Sequence, residues 1–369
     1  MEPQKATAAD PLRGLLAVVL ALALIALVGF FMAIGKSVLL PIVLAVISVY
    51  VLVAASEALT RLPGGAQLPG WLRRCLVLIA FLVAMLFLGG VMVSTAEQLA
   101  GRMPSYLQNL NALLTQLASV VGVDNPDWQK MWKDLVDGLP LQRFASLALG
   151  SIAAAAGLIT MVVVYAMFLM GERGDFAHKI AVALPGERGI RASKIVAQVN
   201  GAISDYLAVK TLVNIILATL SYLVLWVFGV DFALFWAVLI GVLNYIPYVG
   251  SLLGVVFPVA LTMAQFGSIQ TTIGVGLLLT AMQVWVGNAL EPRMIGRKVN
   301  MSPFVVLVAL ALWSAIWGIA GAILAIPLTS IIAIIMASFA STRPFAILLA
   351  QDVSVFAGDH RVEAKADPA

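Results

Sequence analysis

Charge is what this sequence has least of. Asp, Glu, Lys and Arg make up 11% of its 369 residues, against about a quarter in a soluble domain. That shortage excludes a solvated globular surface. Cysteine is reduced to Cys75, so one chain can hold neither a disulfide framework nor a cysteine metal site. The two histidines, His178 and His360, lie in polar segments away from any apolar pocket. No HExxH, GxSxG or GxxxxGK[ST] occurs, and without such groups a membrane protease, a metalloenzyme or an ATP-driven pump has no machinery. The expectation is no enzyme, no cofactor and no metal. The formal charge of +4 does not point to nucleic acid, because the basic residues sit at the edges of apolar runs, where they orient helices.

What the sequence has instead is apolar length, with 62% hydrophobic residues. A membrane span needs about 20 mostly apolar residues. Leu15–Ile34, Val38–Ala58, Leu72–Thr95, Ser146–Met170, Thr211–Phe228 and Thr271–Leu290 meet that requirement. The apolar start is read as a span rather than a cleavable signal, since another span comes directly after it. Two further blocks, Phe232–Phe266 and Phe304–Ala340, run to about 35 residues each, too long for one span and too short for two with a loop. Each carries helix-disrupting residues near its middle, Ile246-Pro247-Tyr248-Val249-Gly250 and Gly318-Ile319-Ala320-Gly321. The fold class is therefore an all-α polytopic membrane protein of about six full spans plus two broken or re-entrant hairpins, with a small helical extracytoplasmic insertion.

Counting Lys and Arg chooses a threading. With the N-terminus in the cytoplasm and both blocks returning to their starting side, 17 basic residues fall inside and 5 outside. Treating both blocks as single spans gives 14 against 8. The positive-inside rule prefers the hairpins, and both termini are cytoplasmic either way. The chain divides into a three-span unit 1–95, an extracytoplasmic subdomain 96–145, a fourth span with a cytoplasmic amphipathic helix 146–210, a transport core 211–342, and a disordered cytoplasmic tail 343–369. In the subdomain, Pro104 should bend or interrupt a helix over Ala96–Val120, and Trp128 and Trp132 stand one turn apart. The helix from about Glu187 is expected to lie along the membrane or under the bundle.

Polar groups inside apolar helices are the candidates for function. Lys210, Asn214 and Ser221 fall within about 40° of one another on a helical wheel. As plain structure, Lys210 snorkels to the surface while the other two knit helices together. As function, they line a pathway. Asn244 stands beside Pro247 and Gly250 at the break of the first block, and unwound backbone at membrane depth belongs in protein or against a wet cavity. Gln283, Asn288 and Glu291 lead to the charged island Glu291–Lys298, with Asn288 and Glu291 on one face and Glu291 beside Arg293 as an interfacial pair. Trp226, Trp236, Trp285, Trp313 and Trp317 read as packing or interface anchors. A span and then a broken block occur twice, in opposite orientation, which is a transporter arrangement.

The runs Asp205-Tyr206-Leu207-Ala208-Val209-Lys210-Thr211, Gly229-Val230-Asp231-Phe232-Ala233, Leu243-Asn244-Tyr245-Ile246-Pro247-Tyr248-Val249-Gly250, Asn288-Ala289-Leu290-Glu291-Pro292-Arg293-Met294-Ile295-Gly296 and Ala325-Ile326-Pro327-Leu328-Thr329 resemble, in order and spacing, the autoinducer-2 exporter (AI-2E) family of bacterial inner-membrane transporters. The resemblance extends from about Leu15 to Ala340. It implies export of a small polar solute, autoinducer-2 first, with sodium or another cation exchanged for protons as the alternative and a non-transporting scaffold behind both. It also implies a homo-oligomer, with a pentamer as the candidate. On this reading the solute pathway comprises Lys210, Asn214, Asn244, Pro247, Gly250, Gln283, Asn288, Glu291 and Arg293. Lys210 and Arg293 offer charge to solute oxygens, and Glu291 is the coupling group. The partners are solute and lipid bilayer, with no nucleic acid.

Overall fold

The computed structural model describes residues 11–61, 63–121, 157–172, 182–295 and 300–352, together with 154 and 179. Among them every long element is a helix: α1 Pro11–Ile34, α2 Lys36–Thr60, α3 Gly70–Val121, α4 Gly157–Glu172, α5 Glu187–Val227, α6 Ala233–Leu243, α7 Val249–Phe266, α8 Ile269–Trp285, α9 Pro303–Trp317, α10 Ile319–Ala337 and α11 Arg343–Leu349. Six helices among the described residues are long and apolar enough to cross a membrane, and shorter apolar helices accompany them, α4, α6 and α9 among these. The chain is a polytopic helical membrane protein. The second half of the segment 96–145, with Trp128 and Trp132, lies outside the described residues, as do the start of the fourth span, Arg297, Lys298 and the tail beyond 352.

Two helices are longer than the sequence reading gave them. Helix α5 has 41 residues, about 62 Å at 1.5 Å per residue, twice the hydrocarbon thickness of about 30 Å. The segment from Glu187, expected to lie along the membrane or under the bundle, is continuous with the span beginning at Thr211 in one helix. No proline interrupts it, so the backbone hydrogen-bond ladder can run on from the polar segment into the apolar one. Helix α3 has 52 residues and runs through Pro104 without ending. Pro104 is exposed, so water can take the hydrogen bond that the proline removes.

Both long apolar blocks are hairpins of two antiparallel helices. In the first, Gly250 of α7 lies against Leu243 of α6, Gly254 against Ile240, and the Trp236 and Phe257 rings stack with centroids 6.3 Å apart. In the second, Gly321 lies against Trp313, whose indole N–H donates to Thr329 Oγ1 at 3.1 Å. The legs of this second hairpin, 15 and 19 residues, are not the short half-spans that the break suggested. Gly318 alone makes the turn, with φ 66° and ψ −142°, a conformation open to glycine and not to residues with a Cβ. The Trp317 indole then donates to the Met32 carbonyl at 3.0 Å, which places that tip at the α1–α2 corner.

The hairpins open toward opposite ends of the bundle. The open end of the first meets the far end of α3 through Arg102 and Asp231. The open end of the second meets the start of α5, where Arg191 donates to the Ser338 carbonyl. Helix α5 touches α2, α6, α8 and α10 and so forms the axis on which both hairpins rest.

Candidate functional site

The polar stripe on α5 faces inward. Lys210, Asn214 and Ser221 are 3%, 4% and 1% exposed, so Lys210 does not snorkel. Its Nζ donates to Glu291 Oε1 at 2.6 Å. On the same helices and on α6, Val213, Leu217, Ile240 and Val286 form a buried apolar cluster, and a low local dielectric strengthens an electrostatic interaction.

The tip of the first hairpin supplies the second side. Unwinding at Asn244–Tyr248 turns Asn244 toward α5, where its Nδ2 donates to Asn214 Oδ1 at 2.8 Å. Next to it the Tyr245 and Thr211 hydroxyls share a hydrogen bond at 2.7 Å. Pro247 is half-buried at the tip. Tyr248 holds the positive φ of 62° that starts α7, a strained conformation for a residue with a Cβ. Gly250 is needed for the close approach of the legs and brings no polar group.

The third side is α8. Beyond Trp285 it passes through a π-helical turn, Val286–Leu290, into Glu291–Ile295. A π turn holds one residue more than an α turn and rotates the next stretch of helix by roughly 100°. Asn288 and Glu291, expected on one face, are thereby separated: Asn288 is exposed, while Glu291 turns in to Lys210 rather than toward Arg293. Arg293 is exposed as well. Gln283, two turns back, lies across Gly254, with its Nε2 3.1 Å from where a Cβ on that glycine would stand.

The structure therefore brings Lys210, Asn214, Asn244 and Glu291 together, sets Gln283 behind Gly254, and leaves Asn288 and Arg293 outside. Gln283 Nε2 is a buried donor with no partner among the described residues, which is costly unless something accepts from it. Thr211 and Tyr245 belong to the cluster and were not singled out from sequence, although both lie within the runs that carry the family resemblance. No group of three or more metal-ligating side chains occurs among the described residues.

The model of the AI-2E family transporter matches residues 16–341. The chain belongs to the AI-2E transporter family. This AI-2E protein is 26% identical over 290 residues to the "AI-2 transport protein TqsA" of Escherichia coli K12, covering 77% of this chain and 82% of that one. It is similar to two chains that bear the name "Putative transport protein": YhhT of the same strain, 29% identical over 275 residues with 74% and 78% covered, and YrrI of Bacillus subtilis 168, 27% identical over 332 residues with 85% and 90% covered. Three of the five runs that carry the resemblance supply the site, through the stripe of α5, the tip of the first hairpin and the stretch from the π turn to Glu291, while the α5–α6 link and the second leg of the second hairpin lie outside it.

Proposed function

We propose that this AI-2E transporter exports a small polar solute, autoinducer-2 in the first instance, through the cluster formed by Lys210, Asn214, Asn244, Gln283 and Glu291, with Asn288 and Arg293 at its mouth. The observation that carries this reading is the set of buried polar groups that three elements bring together, the Lys210 ammonium, the Asn214 and Asn244 amides and the Gln283 Nε2 donor that has no acceptor among the described residues. Such a donor set suits a compact solute rich in hydroxyl and carbonyl oxygens. The pathway is set between a broken helix tip and a π turn, the irregular backbone that membrane proteins keep for sites lined by protein or water. Glu291 is the group through which proton or cation movement would couple to export, in a state where its contact with Lys210 is open.

The alternative, cation–proton exchange, needs a carboxylate free to take the cation. The Glu291 carboxylate is already engaged by Lys210 at 2.6 Å, which favours the solute reading. A proteoliposome assay separates the two. Asn244→Ala removes the donor to Asn214 Oδ1 and leaves a buried acceptor unpaired, a loss of about 1–3 kcal/mol. Autoinducer-2 flux should fall by about tenfold or more. Unchanged autoinducer-2 flux would remove Asn244 from the pathway, and sodium-dependent proton movement alone would favour exchange.

In the membrane, we place both hairpins as re-entrant units in a bacterial inner membrane with both termini in the cytoplasm, which the count of basic residues supports. A cysteine at Arg297, in the island between α8 and α9, should react with a membrane-impermeant maleimide only from the cytoplasmic side. Labelling from outside alone would rule out this threading. Homo-oligomer formation, with a pentamer as the candidate, belongs to the same proposal.

A further inference from the structure

The far end of α3 is tied to the open end of the first hairpin by a connected set of polar contacts. Arg102 Nη1 donates to Asp231 Oδ1 at 2.5 Å, and the Tyr106 hydroxyl donates to Asp231 Oδ2 at 2.8 Å. The Asp231 amide donates to Gln265 Oε1 at 2.7 Å, and Gln265 Nε2 donates to the Gly229 carbonyl at 2.8 Å. Asn109 Nδ2 donates to the Gln265 carbonyl at 2.5 Å. The Arg102 guanidinium also lies 6.0 Å from the centre of the Phe232 ring. Phe232 itself holds a left-handed backbone, φ 57° and ψ 34°, which such a side chain keeps only under outside constraint. Both legs are thus held, α6 at Asp231 and Phe232, α7 at Gln265, by a helix that belongs to neither.

We propose that the extension of α3 beyond the membrane is a strap across the open end of the first hairpin, and that solute passage requires the strap to let go. This rests on the reading that the Asn244 tip lines the pathway, because a hairpin anchored at both legs cannot re-aim its tip against α5. The strap is built to release. The Arg102 side chain is 54% exposed, and an ion pair in that position is weak by itself, so the hold comes from several contacts that can be broken in turn. Burial, and then Asp231, push the Tyr106 phenol up from its usual range, which keeps it a donor at every working pH. The opposite end of the bundle repeats the device: Arg191, on the extension of α5, donates to the Ser338 carbonyl and lies 5.3 Å from the centre of the Phe339 ring.

A disulfide can lock the strap. A Cβ on Gly267 would stand 3.5 Å from Asn109 Cβ, within the span of a disulfide. In a Cys75→Ser background reconstituted in liposomes, the Asn109→Cys/Gly267→Cys protein should lose autoinducer-2 flux about tenfold on oxidation and regain it with dithiothreitol. Full flux in the cross-linked protein would overturn the proposal. Gly267 has φ 56°, so a second arm keeps that glycine: Asp231→Asn should speed amide hydrogen exchange over 232–243 by about fivefold, and unchanged exchange overturns the strap. The exchange arm needs no solute. Absence of autoinducer-2 flux from every form would therefore count against the transport reading, while exchange still judges the strap.

Discussion

Replacing Lys210 by Met is expected to abolish autoinducer-2 flux and to destabilise the protein, and adding Glu291→Gln is expected to restore the stability but not the flux. The Lys210 and Glu291 side chains are 4% and 24% exposed, with Nζ and Oε1 2.6 Å apart. Removing one member of a fully buried pair costs about 3–5 kcal/mol, because the charge left behind has no partner. The remaining exposure of Glu291 brings the expected loss to about 2 kcal/mol. In the double variant no charge is stranded, and neutral groups of similar volume often pack as well as the pair they replace. Thermal unfolding in detergent reads the stability, and proteoliposome uptake reads the flux. The two readouts discriminate sharply: flux that recovers with stability in the double variant would make the pair helix glue, the expectation for a scaffold.

The second large effect concerns the glycines that let the hairpin legs touch. A Cβ at Gly250 would stand 1.8 Å from the Leu243 carbonyl oxygen, and one at Gly321 would stand 1.9 Å from the Trp313 carbonyl oxygen. These are backbone atoms, which cannot rotate aside as a flexible side chain would, so the legs must separate. Overpacking of a core commonly costs about 1–3 kcal/mol, and a backbone clash this deep should reach about 3 kcal/mol or more. Gly250→Ala and Gly321→Ala are each expected to unfold well below the parent temperature. Gly90→Ala and Gly201→Ala are the controls. Nothing lies within 4 Å of a Cβ at either position, and alanine is the better helix former by up to about 1 kcal/mol. Equal melting temperatures for all four variants would show that the legs do not pack as described.

The architecture was legible because membrane insertion leaves its requirement in the sequence. Runs such as Val38–Ala58 and Leu72–Thr95 correspond to α2 and the first part of α3, since an apolar run of that length has few other stable fates. The helix-breaking residues at Ile246–Gly250 and Gly318–Gly321 marked both hairpin turns. Their full leg lengths were not legible, because a single glycine at Gly318 replaces the loop that a length argument assumes. Periodicity placed Lys210 and Asn214 on one face. It misplaced Asn288, because wheel angles assume an α-helix throughout and a π turn has no recognisable composition. Thr211, Tyr245 and the Arg102–Asp231 contact were invisible for a simpler reason. Their partners are remote in sequence, 129 positions apart for Arg102 and Asp231, and no local pattern records which distant side chain completes a hydrogen bond.

By itself the sequence determined a helical membrane protein with two broken blocks, a scarcity of charge that fits a lipid-facing surface, and a set of runs belonging to one transporter family. These come from composition, run length and local order. Only the tertiary structure decided that Lys210 pairs with Glu291, that Asn244 reaches Asn214, and that Arg293 stays exposed outside the cluster. The reason is physical: burying a charge inside a bilayer protein is costly unless a partner meets it, and which partner does so depends on how separate helices cross.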